Sequence, residues 1–198
     1  GEAYQYPHSA YGVMSWWDYG YFITYVAHRI PNANPSQSGA TDAAKFFTNQ
    51  DVASASQMLD KLGSRYVIID SPMIVNTLIY GGKFYAMPGG KFPAIVVWAG
   101  KDLSQFYEVF YQQSSGTDTL QPVMYYYPEY YQSMCARLYV FGGQEWVPQQ
   151  TLAISWSVEQ LTSTDGSTFQ AKVVTAKQLQ VFSGNDSYDK AKAFVDTH

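Results

Sequence analysis

Apolar positions first fall at helical spacing at Tyr21, Phe22, Tyr25 and Val26, with Arg29 on the same stripe, and Pro31 and Pro35 stop the run. The spacing predicts a helix from Asp18 onward, then an Asn-, Pro- and Ser-rich loop to Gly39. Thr41 or Asp42 can cap a short helix over 43–48, and Asp51 a second over 52–62 that Gly63 closes. Tyr66-Val67-Ile68-Ile69-Asp70 reads as a short, fully buried strand ending in a carboxylate. Pro72 suits the first turn of a helix carrying Met73, Ile74, Val75, Leu78 and Ile79. Gly81-Gly82 kinks or breaks it before residues 83–87, and Pro88-Gly89-Gly90 ends it. Residues 103–111 and 129–138 read as two further helices.

Beyond Trp146 the pattern changes. Residues 152–158 alternate, Thr164-Asp165-Gly166-Ser167 is a hairpin turn, 169–174 and 179–182 are strand-like, and a short amphipathic piece lies near 190–195. The reading is therefore α+β, a helix-rich mixed core over 1–145 with a β-rich part over 146–198 packed on the same core. The phrase Gly-Gly-Lys-Phe occurs at 81–84 and 89–92, too short a repetition for a solenoid.

At 198 residues and 46% hydrophobic content the chain can bury a sizeable core. A net charge of −4 with 14% charged residues leaves no basic footprint for a polyanion, so nucleic acid is excluded as a partner. With 18 Tyr, 11 Phe and 5 Trp, the chain is rich in rings that suit peptide, glycan or the polar edge of a membrane, as well as a tyrosine-rich core. Cys135 stands alone, which rules out an internal disulfide and reads as a buried structural thiol. The longest apolar run, residues 94–99, is far below the ~20 residues that span a bilayer.

Trp16-Trp17-Asp18-Tyr19-Gly20 carries the most chemistry. An indole N–H only donates and an ionised carboxylate only accepts, so together they satisfy both halves of one hydroxyl group. Asp18 alone would be a routine helix cap, but adjacent indoles diverge by about 100° on a helix and rarely serve one core. With Met14-Ser15 before it and Ile30-Pro31-Asn32-Ala33-Asn34-Pro35 after it, this stretch resembles the catalytic subunit of oligosaccharyltransferase, the enzyme of N-linked protein glycosylation, in its archaeal branch. In that family the Trp-Trp-Asp triplet recognises the Ser or Thr at +2 of Asn-X-Ser/Thr. The resemblance covers roughly residues 4 to 145.

The resemblance implies that Trp16, Trp17 and Asp18 receive the acceptor hydroxyl, that Tyr19 belongs to the motif, and that Gly20 allows close backbone approach. It implies an acceptor polypeptide and a lipid-linked oligosaccharide on a dolichol-type phosphate as substrates. It also implies an N-terminal transmembrane region of the same protein that holds a divalent metal, Mn or Mg, outside this chain. This domain would lie on the extracytoplasmic face of the cell membrane. With no initiator Met and the motif inside the first twenty residues, the chain reads as a fragment, inactive alone and without a cofactor of its own.

A second constellation, Asp70-Ser71-Pro72-Met73 followed by Lys83-Phe84-Tyr85-Ala86-Met87, resembles the family's second signature of an Asp, a Lys and an apolar residue along a kinked helix beside the pocket. In that role Asp70, Met73, Lys83 and Met87 join the substrate site. The apolar member would favour Thr over Ser by about 0.8 kcal/mol for one buried methyl. Lys83 would serve either the carrier's phosphate or the packing. Lys91 with Ile95 is the competing register. Lys83 is preferred because Pro93 should interrupt a helix.

His8, His28 and His198 are scattered and form no metal-binding spacing. Asn185-Asp186-Ser187 is itself an acceptor sequon, whereas Asn34-Pro35-Ser36 is blocked by its proline. Rival readings are a carbohydrate- or peptide-binding module without a transferase role, and a structural envelope protein.

Overall fold

The computed structural model describes residues 4–74, 76–80, 83–87, 90–113, 120–162 and 165–197. Val75, Gly81-Gly82, Pro88-Gly89, Thr164 and His198 lie outside the described residues, as do the side chains of 76–80 and 83–87. The fold is α+β in two compact units, Gly1–Phe106 with Tyr127–Glu145 and Tyr107–Tyr126 with Trp146–His198. The stretch 107–126, placed by sequence in the helix-rich part, groups with the C-terminal strands.

The first unit is built on a short parallel sheet. Strand β1 (Gly12–Met14) is buried and central, flanked by β2 (Ile30–Pro31) and β3 (Ser64–Val67) in the order β2-β1-β3. Between β1 and β2 the chain makes a 3-10 turn at Trp17–Tyr19 and helix α1 (Gly20–Tyr25). The helix is shorter than its periodicity predicts, and Tyr21, Phe22, Tyr25 and Val26 are each more than half exposed, while Ile23 and Thr24 are buried. Strand β3 ends at Val67 and leaves Tyr66 exposed, because an edge strand of a three-stranded sheet is not the fully buried strand read from its apolar run.

Helix α2 (Ala40–Phe47) starts at Gly39 rather than at a Thr41 or Asp42 cap. Helix α3 (Val52–Lys61) is capped by Asp51, whose carboxylate accepts the Ser54 N–H at 2.6 Å, and Gly63 follows it at φ +61°. The helix expected after Pro72 is absent. A 3-10 turn at Ser71–Met73 precedes an antiparallel hairpin, β4 (Asn76–Tyr80) and β5 (Lys83–Met87), in register from Asn76↔Met87 to Tyr80↔Lys83. Two aromatic and β-branched runs separated by Gly-Gly carry a hairpin signal, and a short apolar run cannot be told from a helix by period alone.

Helix α4 (Lys91–Trp98) begins with Lys91, so Pro93 falls in its first turn, where the missing N–H costs nothing. Residues 129–138 form two helices, α5 (Pro128–Gln132) and α6 (Met134–Tyr139), broken at Ser133. The Ser133 backbone is extended there, and its hydroxyl accepts the Ala136 N–H at 3.3 Å. The core gathers Met14, Phe46, Phe47, Phe92, Ile95, Val96 and Cys135, with Phe92 edge-on to Phe106 and Tyr130. Burial pushes the Cys135 thiol well above its ordinary pKa, which leaves it an inert packing group.

Residues 103–111 are not a helix, and the second unit begins within them at Tyr107. A 3-10 turn at Leu103–Gln105 leads into β6 (Tyr107–Gln113), paired antiparallel with β7 (Leu120–Tyr126). The alternating region divides into β8 (Gln150–Ile154) and β9 (Ser157–Thr162), followed by β10 (Thr168–Val174) and β11 (Leu179–Ser183). One sheet has the order β7-β6-β10-β9, and β8 pairs with β11 beneath α7 (Ser187–Val195). No described helix is long and apolar enough to cross a membrane.

Candidate functional site

Strands β1 and β3 run parallel, with Met14 opposite Val67, so their carboxyl ends lie side by side. The chain leaving β1 reaches Asp18 four residues later, and the chain leaving β3 reaches Asp70 three residues later. Parallel sheets place ligand-facing groups beyond the carboxyl ends of their strands by this construction.

Trp16 remains extended at φ −66°, ψ 151°, and the 3-10 turn then carries Trp17, Asp18 and Tyr19. The two indoles lie with ring centroids 6.3 Å apart and planes tilted by 51°. Trp16 is almost wholly buried at 2% exposure, while Trp17 is half-buried. Neither indole N–H has a hydrogen-bond partner among the described residues. Gly20 opens α1 against the Pro31–Asn34 segment, and a Cβ there would stand 2.6 Å from the Asn34 Cα. The motif and the Pro-Asn-Ala-Asn-Pro loop are thus packed backbone to backbone.

A third element completes the cluster. Lys91, the first residue of α4, places its ammonium 2.6 Å from the Asp18 Oδ2 and 3.2 Å from the Asp70 Oδ2. It also donates to the Tyr19 hydroxyl at 3.0 Å and lies 4.2 Å from the centre of that ring. The Tyr19 hydroxyl in turn donates to the Asp70 Oδ2. Burial alone would lower the Lys91 pKa, but the bonds to Asp18, Tyr19 and Asp70 outweigh it and hold the amine well above its ordinary 10.5. Burial, then the bond to Asp70, raises the Tyr19 phenol.

Each carboxylate gives one oxygen to this network. The other oxygens, Asp18 Oδ1 and Asp70 Oδ1, are buried with no hydrogen-bond partner among the described residues. Two carboxylates against one ammonium leave a formal excess of one negative charge. The arrangement can accept a donated proton in a hydrogen bond, and it has no nucleophile. Among the described residues no three His, Cys, Asp or Glu side chains are placed to hold a metal ion. The two acids that meet already enclose a cation, so these residues do not fit a divalent metal.

The sequence preferred Lys83 over Lys91 for the second signature; among the described side chains it is Lys91 that meets the two acids. Lys83 and Met87 are the two ends of strand β5, and the helix assumed for them does not exist. The lysine that meets Asp18 and Asp70 is Lys91. What brings it there is Gly90, at φ +91° and ψ −142°, where a Cβ would stand 2.6 Å from the Pro72 carbonyl oxygen. The signal for this was available: a glycine before a helical run, with the proline harmlessly in its first turn. Met73 and Ile95 are fully buried, so they support the wall of the cluster and present no surface to a methyl group. A separate cavity of about 350 Å³ lies in the second unit, lined by Glu108, Tyr111, Phe169 and Lys172 among others, and contains none of these residues.

The profile of the AglB core domain matches residues 2–74, a span holding both Trp16–Gly20 and Asp70. Over 206 aligned residues the chain is 37% identical to the dolichyl-monophosphooligosaccharide–protein glycotransferase AglB of Haloferax volcanii, an alignment covering 97% of this chain and 18% of that protein. Among solved structures, an Archaeoglobus fulgidus oligosaccharyltransferase tethered to an acceptor peptide containing the NVT sequon superposes with a TM-score of 0.54 at 30% identity, over 77% of this chain and 19% of that one. Archaeal AglB from the same organism, in complex with an inhibitory peptide and a dolichol-phosphate, gives 0.53 at 29% identity, with the same two coverages of 77% and 19%. The chain thus spans less than a fifth of the length of the curated relative described here.

Proposed function

The chain belongs to the archaeal AglB family of oligosaccharyltransferases, and on that premise we propose that it is the domain that holds the acceptor's +2 Ser or Thr while the whole protein glycosylates the sequon Asn. The parent would transfer an oligosaccharide from a dolichol-type phosphate carrier at the cell membrane, with this domain on the extracytoplasmic side. Its transmembrane region would carry the lipid-linked sugar and a divalent metal. Relatives solved with an acceptor peptide and with a dolichol-phosphate support these substrate classes.

One observation carries the reading: among the described residues Asp18 is held by Lys91 through Oδ2 while Oδ1 is left without a donor, and the two indoles that precede it in the chain have N–H groups without a partner. An acceptor hydroxyl would donate to the Asp18 Oδ1 and accept from indole N–H. Lys91, steadied by Tyr19 and Asp70, keeps the carboxylate turned for that bond. In this reading the second signature runs through Asp70 and Lys91 rather than Lys83 and Met87, with Ile95 buried as packing on the same helix as Lys91. A peptide lacking the hydroxyl leaves these groups unpaired, at about 1–3 kcal/mol for each.

The test is a titration of the chain with a sequon peptide carrying Thr at +2 and with its Val isostere, read on the Trp indole N–H resonances. The Thr peptide should bind at least several-fold more tightly and shift both indoles. Equal affinities, or shifts confined to other residues, would sink the proposal.

A further inference from the structure

The charged groups of the cluster come from three separate segments, and strand pairing fixes only two of them. Strands β1 and β3 set Asp18 beside Asp70, whereas Lys91 arrives at the head of α4 after the β4–β5 hairpin. The close approach of Gly90 to the Pro72 carbonyl gives α4 one point of contact with the Ser71–Met73 turn. One point leaves the helix free to swing. A swing of about 1 Å at the ammonium takes bonds of 2.6 and 3.2 Å outside hydrogen-bonding range.

Tyr130 supplies the second point. It lies in α5, where the chain has rejoined the first unit, and it is buried. Its hydroxyl donates to the Ile74 carbonyl at 3.0 Å, at the far end of the turn that Asp70 begins. That turn is closed by the Met73 N–H on the Asp70 carbonyl at 3.1 Å and by the Ile74 N–H on the Ser71 carbonyl at 3.0 Å, so Asp70 and Ile74 move together. The ring of the same tyrosine meets Phe92, the neighbour of Lys91, edge to face with centroids at 5.1 Å. Phe92 is itself fully buried and edge-on to Phe106 at 5.4 Å. Helix α5 is anchored in turn by the Tyr127 N–H on the Phe106 carbonyl at 2.9 Å. One side chain therefore holds both partners, its phenol tip on the turn of Asp70 and its ring on the helix of Lys91. Phenylalanine would fill the same volume, and a buried phenol is favourable only where it finds an acceptor.

We propose that Tyr130 is a positioning residue of the acceptor site, locking the Asp70 turn to the head of α4 so that Lys91 reaches Asp18 and Asp70 together. A site that discriminates by one hydroxyl must keep its partners within about 0.5 Å of the productive geometry. The lock itself is independent of the acceptor reading, while its part in recognising the +2 residue rests on that reading.

The test is Y130F, which keeps the ring against Phe92 and removes the donor to Ile74, combined with K91M in a double-mutant cycle. Urea unfolding without peptide reads the cycle first. The loss that Y130F causes in the unfolding equilibrium constant should be smaller by about two-fold or more where Lys91 is already gone. Y125F, which removes the donor to Gln112 in the second unit, should be additive with K91M. Titration with the Thr and Val peptides reads the cycle second. Y130F should cut the Thr-over-Val preference about three-fold or more, leave Val-peptide binding unchanged, and change the preference no further in K91M. A tyrosine that merely fills the core would lower the urea midpoint and leave the preference alone. Additive effects of Y130F and K91M on unfolding overturn the proposal, and so does a Y130F chain that keeps the whole preference of the wild type. Non-additive unfolding in a protein whose wild type shows no Thr-over-Val preference supports the lock and sinks the acceptor reading instead, so the two failures are distinguishable.

Discussion

Replacing Lys91 by Met removes the cation that Asp18 and Asp70 share among the described residues while keeping most of the side chain's volume. The ammonium sits 2.6 and 3.2 Å from the two carboxylates, with the three side chains 21–34% exposed. Exposed pairs contribute about 0–1 kcal/mol, and breaking a buried pair costs about 3–5 kcal/mol. This partly exposed cluster belongs between them, so K91M should cost about 1–3 kcal/mol. For a chain of this size that lowers the midpoint by about 2–4 °C for each kcal/mol. K83M, made in parallel, should leave the cluster intact.

Because the folded-state pKa of Lys91 is raised, its contribution is complete below the ordinary value of 10.5 and is lost as pH rises above it toward the folded value. The wild-type advantage over K91M should therefore be constant in neutral and mildly alkaline buffer and shrink above pH 10.5. Urea unfolding followed by Trp fluorescence measures this, and the Thr-over-Val preference is read on the same proteins. A K91M chain as stable as wild type with an unchanged peptide preference would refute the reasoning. So would a loss confined to K83M.

Gly90→Ala should destabilise by at least about 1–3 kcal/mol, since it adds a left-handed strain to a 2.6 Å approach to the Pro72 oxygen, and it should weaken Thr-peptide binding by shifting Lys91; denaturation midpoints and titration check both. Tyr19→Phe removes the donor to Asp70 and should cost about 1 kcal/mol, with Thr-peptide binding weakened more than Val-peptide binding. The sequon at Asn185 should stay unmodified when the folded chain is offered to an active glycosylation system and become modified when offered unfolded. Its +2 residue, Ser187, is fully buried and bonded to Thr151 and to the Pro148 carbonyl, and mass spectrometry of the two preparations decides.

Legibility followed distance along the chain. The Asp51 cap, the Gly63 stop and the strands of the C-terminal part were readable because each depends on neighbours within a few residues. The donor–acceptor role proposed for Trp16-Trp17-Asp18 likewise rests on three consecutive side chains. Short apolar runs were read less well. Residues 76–80, 83–87 and 107–113 fit a helical spacing and a strand equally, and only pairing with another strand selected the second.

The amino-acid sequence on its own determined the α+β class and the family, since composition and contiguous residues carry both. The tertiary structure alone decided which lysine serves the two acids. Lys91 is 73 positions from Asp18, and it reaches it because parallel pairing of β1 with β3 sets two carboxylates side by side and a glycine lets α4 start against Pro72. It also decided that the apolar stripe of α1 faces outward, because a helix buries whichever side its neighbours cover, and here they cover Ile23 and Thr24.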